Sequence, residues 1–151
     1  MANVIYNSFK LKVFTNGVNG LNWTDPGTEV RVMLMANTYT PNEDTHTLRS
    51  EIKTNEISTG GNYTRGGAIL PTKSTSVNTA TNTITLTAAS VTWASSTITN
   101  ARYAVLYIPT SGTGDSSEGP LIACYDFGVD KSSSNDNFTF IPNASGLLTL
   151  S

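Results

Sequence analysis

The longest apolar run of the chain lies between positions 83 and 109, and it predicts the central strands of the fold. Ile84 and Leu86 alternate with threonines, and 101–108 is apolar at nearly every position before Pro109 ends the run. Segments that are rich in β-branched and aromatic residues and lack charged alternation are typical of strands covered on both faces. We therefore interpret 83–109 as the spine of an all-β domain.

Two shorter patterns predict strands nearer the N-terminus. Apolar residues alternate with lysines across 8–14, which predicts a half-buried strand with its lysines in solvent. The segment 29–36 predicts a second strand, and Met33 and Met35 share one of its faces. Methionines on such a face indicate partial cover by a loop or a neighbouring subunit.

A capping-box signature predicts one helix. Thr40 takes the N-cap position, Pro41 the first helical position and Glu43 the third, an arrangement that satisfies the free backbone N–H groups of a first turn. We predict a single short helix at 41–53, packed on the sheet.

The remaining segments predict short strands joined by turn-rich loops. Polar connections are predicted at 95–100, 109–119 and 130–137, and a terminal hairpin is predicted to pair 138–141 with 147–150. Eight or nine short strands at this spacing favour a β-sandwich or barrel-like fold, with a jelly roll as one form of that class. We expect one domain over 1–151, in which 1–7 forms an N-terminal arm.

Composition agrees with this fold and excludes several classes of function. Thr, Ser and Asn supply 24, 16 and 15 of the 151 residues, as expected for strands and turns. Only 13% of residues are charged, the net charge is −2 and no basic run exists, so the electrostatic pattern of a nucleic-acid-binding protein is absent. No apolar run approaches the roughly 18 residues of a membrane span, and the N-terminus has no secretory pattern.

The chemistry-bearing residues do not form a recognisable catalytic or metal-binding pattern. His46 is the single histidine, no Gly-x-Ser-x-Gly motif exists, and the carboxylates are scattered. Cys124 lies in an apolar run and is predicted to be a small buried residue of a chain made in a reducing compartment. We predict a protein that is not an enzyme and needs no cofactor or metal. Trp23 and Tyr63, in predicted loops, are candidates for contact with a sugar or a subunit.

Six blocks of the sequence carry a resemblance to a known group, and the whole match runs from about 33 to 150. The blocks are YTPNEDTH at 39–46, EIS at 56–58, YTRGG at 63–67, VTWA at 91–94, ARYAVLY at 101–107 and PLIACYDFG at 120–128. In these blocks the chain resembles small structural proteins of tailed bacteriophages, of the head decoration (cement or head-fibre-associated) class. Asn62 is an insertion relative to that pattern, so the loop before Tyr63 departs from it.

The resemblance implies a protein without a reaction, made in the host cytoplasm and located on the virion head surface. Its implied partners are the major capsid protein and further copies of itself, with a homotrimer favoured, and neither nucleic acid nor a membrane. The arm 1–7 is expected to be ordered by a neighbour. The candidate subunit or capsid contacts are Val4, Ile5, Tyr6, Trp23, Met33, Met35 and Tyr63.

Two alternatives remain open from the residues. A carbohydrate-binding module of a phage tail or receptor-binding fibre would use Trp23 and Tyr63 as stacking rings. A hydrolase would require His46 beside a carboxylate.

Overall fold

The computed structural model describes residues 3–15 and 21–151, and antiparallel strands dominate this part of the chain. The elements, in chain order, are β1 (Asn3–Ile5), α1 (Asn7–Phe14), β2 (Arg31–Ala36), α2 (Arg49–Ile52), a 3-10 helix (Lys53–Asn55), β3 (Ala68–Ile69), β4 (Ser74–Asn78), β5 (Thr83–Thr87), β6 (Val91–Tyr107), a second 3-10 helix (Gly114–Ser116), β7 (Leu121–Phe140) and β8 (Leu148–Leu150). The all-β prediction is confirmed.

A long antiparallel pair, β6 with β7, forms the centre of the larger sheet. Its register runs from Val91 opposite Phe140 to Tyr107 opposite Leu121, and the strand order is β1-β7-β6-β2-β3. The predicted strand at 101–108 is confirmed, because 104–107 is buried and pairs with β2 on one side and β7 on the other. The prediction was wrong for 83–87, which forms β5 in a separate sheet.

The middle of this pair is irregular, and here the sequence interpretation was wrong. The segments 95–100 and 130–137, predicted as polar loops, are continuous strand with repeated register shifts. Hydroxyl groups bridge the two strands at this point: Ser96 Oγ lies 3.1 Å from Ser133 Oγ, and the Asn100 N–H donates to Ser132 Oγ. Side-chain hydrogen bonds thus replace ladder bonds that the bulges remove, and the polar composition is compatible with a strand.

The smaller sheet has the order β4-β5-β8. The predicted terminal hairpin was wrong, because β8 pairs with β5 and not with 138–141. Tyr125 explains how the two sheets are joined: its hydroxyl donates to the Leu147 carbonyl at 2.8 Å and so fixes the segment before β8 against β7.

The helices also differ from the predicted elements. Residues 8–14, predicted as a strand, lie in α1, because the chain turns at Tyr6 and the Tyr6 carbonyl accepts the first helical N–H groups. Only Phe9 of α1 is buried, so an alternating pattern that suits a strand face leaves other apolar residues of the helix in solvent.

The predicted helix near 41–53 is present but shorter. Asn42 Oδ1 accepts two backbone N–H groups and closes a turn, so the capping-box signature does not begin a helix there. α2 starts later, at Arg49. The Glu51 carboxylate accepts the backbone N–H groups of Thr47 and Leu48, the two residues that precede this helix. Side-chain oxygens of this type compete with a helix as readily as they cap one.

Candidate contact surface

The N-terminal candidate residues pack on their own chain. Val4 and Ile5 pair with Cys124 and Ala123 of β7 and are half-buried. Tyr6 is fully buried, and its hydroxyl lies 2.7 Å from that of Tyr39. The expectation that a neighbouring molecule orders the arm is therefore corrected for 3–6, because these residues pack against β7 and the core of their own chain. Positions 1 and 2 lie outside the described residues.

The four other candidate residues are buried as well. Trp23 is 4% exposed and its indole N–H donates to the Thr87 carbonyl at 2.9 Å, while Tyr63 is fully buried. Met33 and Met35 have no exposed surface, and the backbone of Met35 forms an isolated bridge with Glu56. The expectation that these four residues contact a sugar, a subunit or the capsid is thus corrected, because their side chains are buried in the core of their own chain.

A different surface is apolar and uncharged. Of the 20 charged residues, Lys73 is the single one within 71–100 and 137–151, the two segments that contain β4, β5 and β8. We call the sheet formed by these three strands the neutral sheet. Its two faces are chemically distinct because side chains alternate along each strand.

One face of the neutral sheet carries an exposed apolar row. Val77 lies opposite Ile84, and Ile84 lies opposite Leu150, so the three side chains are cross-strand neighbours. They are 67%, 42% and 51% exposed. The row lies beside Leu148, which belongs to the core, and Leu86, which is partly buried against the core. It therefore extends the hydrophobic interior out to solvent.

The opposite face carries hydroxyl groups. Ser76, Thr85 and Thr149 form one cross-strand row, and Ser74 Oγ lies 2.6 Å from Thr87 Oγ1 in the next. Sequence reasoning could identify the alternation within β5. It could not identify the apolar row, because Leu150 lies 73 positions after Val77 in the chain.

A buried ionic cluster, which sequence reasoning missed, lies between α2 and the loop that precedes β7. Arg49 is fully buried and donates to the Glu56 carboxylate at 2.5 Å and to the Ser117 carbonyl. Glu56 also accepts the Tyr63 hydroxyl and the Gly66 N–H. Burial raises the pKa of Glu56, while Arg49 and these hydrogen bonds oppose the rise.

The geometry of this cluster indicates a structural role. Arg49 connects the loop after β6 to the segment after α2, and Arg65 adds a bond to Asp115 at 2.7 Å. A second pair, Lys53 with Glu118 at 2.9 Å, joins the same two segments. Most of the polar groups are paired, although the buried Arg49 Nε has no hydrogen-bond partner among the described residues, and the cluster connects the two loops.

His46, the base that a hydrolase would require, packs against an aromatic ring in the described structure. His46 stacks on Tyr39 and its Nδ1 lies 3.1 Å from the Tyr39 hydroxyl, and no group of three metal-ligating side chains was found within 3–15 and 21–151. Two shallow clefts of about 330 and 310 Å³ lie beside Gly60 and Phe127. No helix in the described part of the chain is long and apolar enough to cross a membrane.

No family model, no curated protein and no solved structure matches this chain.

Proposed function

We propose that the chain is a virion structural protein of a tailed bacteriophage, which decorates the outer surface of the head and docks through the neutral sheet. The observation that carries this proposal is the exposed apolar row formed by Val77, Ile84 and Leu150 on a surface almost without charge. The sequence resemblance to head decoration proteins supplies the particle and the partner, which is the major capsid protein.

The chemistry of the neutral sheet suits a contact with folded protein. The centres of protein–protein interfaces are depleted of charge and enriched in apolar groups, with polar groups at the rim. Here the apolar row forms the centre, and Thr75, on the same face of β4, adds a hydroxyl group beside it. A decoration protein repeats its contact many times over one head, so modest contacts are sufficient for stable attachment.

The proposed contact surface is therefore the neutral sheet and not the residues that the sequence suggested. The carbohydrate-binding alternative relied on Trp23 and Tyr63, whose rings are buried, and we do not propose it. The favoured homotrimer remains a prediction.

Imaging of particles with and without this chain tests the proposal. We expect density on the outer head that disappears when the chain is absent. Ile84→Gln should reduce head occupancy at least about tenfold, because it places an amide at the centre of the apolar contact. The matched control is Ile69→Gln, since Ile69 is 52% exposed on β3 of the other sheet, and it should leave occupancy unchanged. Heads without the density, or equal loss in both variants, would overturn the proposal.

A further inference from the structure

The two sheets have four edge strands in the described part of the chain, and one of them differs from the others. β1, β3 and β8 contain three, two and three residues, whereas β4 contains five. Short edges offer few free backbone groups and rarely recruit another strand. β4 is therefore the longest of these four strands. The part of β7 beyond its pairing with β1 is also unpaired on its outer side in the described structure, but it carries charged residues and register shifts.

β4 also lacks the features that protect edge strands. Its sequence, Ser-Thr-Ser-Val-Asn, has no charged residue and no proline, and its pairing with β5 is regular over all five positions. Each of its residues is exposed, and no described residue pairs with its outer edge. A regular, uncharged and uncovered edge is a template for pairing with a further strand.

We propose that β4 pairs antiparallel with β4 of a second copy of this chain, about a two-fold axis at Ser76. The two neutral sheets then become one continuous six-stranded sheet. This self-association gives a dimer in place of the homotrimer that the sequence resemblance implies. It goes beyond attachment to the head and does not depend on it.

The length of β4 selects this register. With Ser76 opposite its copy, Ser74 lies opposite Asn78 of the second copy, so all five residues of each strand are paired. Val77 then lies beside Thr75 of the second copy, and an aliphatic side chain next to a threonine methyl is a favourable cross-strand neighbour. A shift by one residue in either direction leaves strand ends unpaired.

The charge distribution favours a second copy over a different partner. β4 has no charged residue that could select an acidic or a basic strand. Pairing of β4 with its own copy places no like charges opposite each other. Lys73, the nearest charged residue, would lie about 20 Å from its symmetry mate, from roughly 3.4 Å per residue over six positions. Pairing also doubles the apolar row without covering it, so docking and self-association use different groups.

Substitution of Ser76 tests the pairing in solution. The wild-type chain should have twice the 16.1 kDa of one chain in light scattering after gel filtration. Ser76→Lys places two ammonium groups opposite each other and should weaken the dimer at least about tenfold. Thr149→Lys is the matched control, because Thr149 lies in the same cross-strand row at the opposite edge, and it should leave the dimer intact.

A disulfide reports the register independently. Ser76→Cys should link two chains on mild oxidation, because facing strand residues lie within disulfide range. Ser74→Cys should not, since the two sulfurs would start about 13 Å apart. The buried native thiol of Cys124 does not compete.

A monomeric wild type, dimer loss in Thr149→Lys, or linkage through position 74 would overturn the proposal, as would a trimer unaffected by Ser76→Lys. Thermal unfolding of each variant verifies that it is folded. Head occupancy is measured separately, so failure of docking and failure of self-pairing give different results.

Discussion

At the scale of single residues, the buried pair of Arg49 and Glu56 shows how charge is accommodated in this core. Two ions removed from water are tolerated only when attraction and hydrogen bonds offset the lost hydration. Glu56 achieves this with Arg49, Tyr63 and the Gly66 N–H as partners. Removing one charge leaves the other buried and unpaired, which makes this pair the most sensitive ionic contact in the described residues.

Glu56→Gln should lower the free energy of unfolding by about 3 kcal/mol, because Arg49 keeps its charge and loses its counter-ion. Urea denaturation measures the change. Glu29→Gln is the control: Glu29 pairs with Arg31 at the surface, and such pairs are worth at most about 1 kcal/mol. Equal losses in the two variants would contradict the structural importance of the buried cluster.

Asp126 should make stability depend on pH in the acid range. Hydrogen bonds from Arg102, and one from the Gly128 N–H, hold the pKa of this carboxyl below its usual value, although partial burial opposes them. A lowered pKa in the folded state stabilises the protein above the unfolded pKa of about 3.9, and this contribution disappears as pH falls through the folded value.

Asp126→Asn should therefore lower Tm by about 2 °C at neutral pH. The difference from the wild type should vanish once the pH has fallen below the lowered folded-state pKa, where the wild-type carboxyl is protonated as well. Scanning calorimetry over a pH series measures this, and a difference that is constant with pH would contradict the assignment.

At the scale of elements, Gly67 determines whether β3 can approach β2. Its φ is +69°, and a Cβ on this residue would lie 1.9 Å from the Val32 carbonyl oxygen. Gly128 has a similar φ of +78° with no atom within 4 Å of the corresponding position. A comparison of the two positions thus distinguishes the cost of a positive φ from the cost of a steric clash.

Gly67→Ala should destabilise the fold by more than about 3 kcal/mol, because strain and a backbone clash add together. Gly128→Ala should cost about 1 kcal/mol from the positive φ alone. Chemical denaturation of both variants tests this. Similar losses would indicate that Gly67 and β2 are less close than described.

The elements also show which parts of the fold are readable from sequence. The run 101–108 was predicted correctly because complete burial requires an apolar side chain at nearly every position. The segment 8–14 was not, because a period of two is visible in the sequence while the turn at Tyr6 depends on a distant partner, Tyr39. Strand 130–137 was missed because its cross-strand hydroxyl bonds have the composition of a loop.

At the scale of the whole molecule, charge is segregated. The ionic cluster and the surface ion pairs lie outside the neutral sheet, where Lys73 is the nearest charge. Sequence reasoning placed the contact residues at Trp23 and Tyr63 because exposed and buried loop aromatics look alike in a sequence. The neutral sheet could be identified only after the pairing of β5 with β8 was known, since this pairing brings distant segments together.

Attachment through the neutral sheet should be insensitive to salt. Raising NaCl from about 0.05 M to 0.5 M screens exposed charges, yet occupancy of heads should change less than about twofold, because an apolar contact has no charges to screen. Cosedimentation with purified heads measures occupancy. A steep loss with salt would show that charged residues elsewhere make the contact.

The single thiol of the chain is a natural reporter of how often this architecture opens. Cys124 lies in β7 between β1 and β6, and burial raises its pKa to about 12. Alkylating reagents need both access and a thiolate, so modification requires β7 to separate from a neighbour. The labelling rate would then give the frequency with which β7 separates from a neighbouring strand, without any introduced probe.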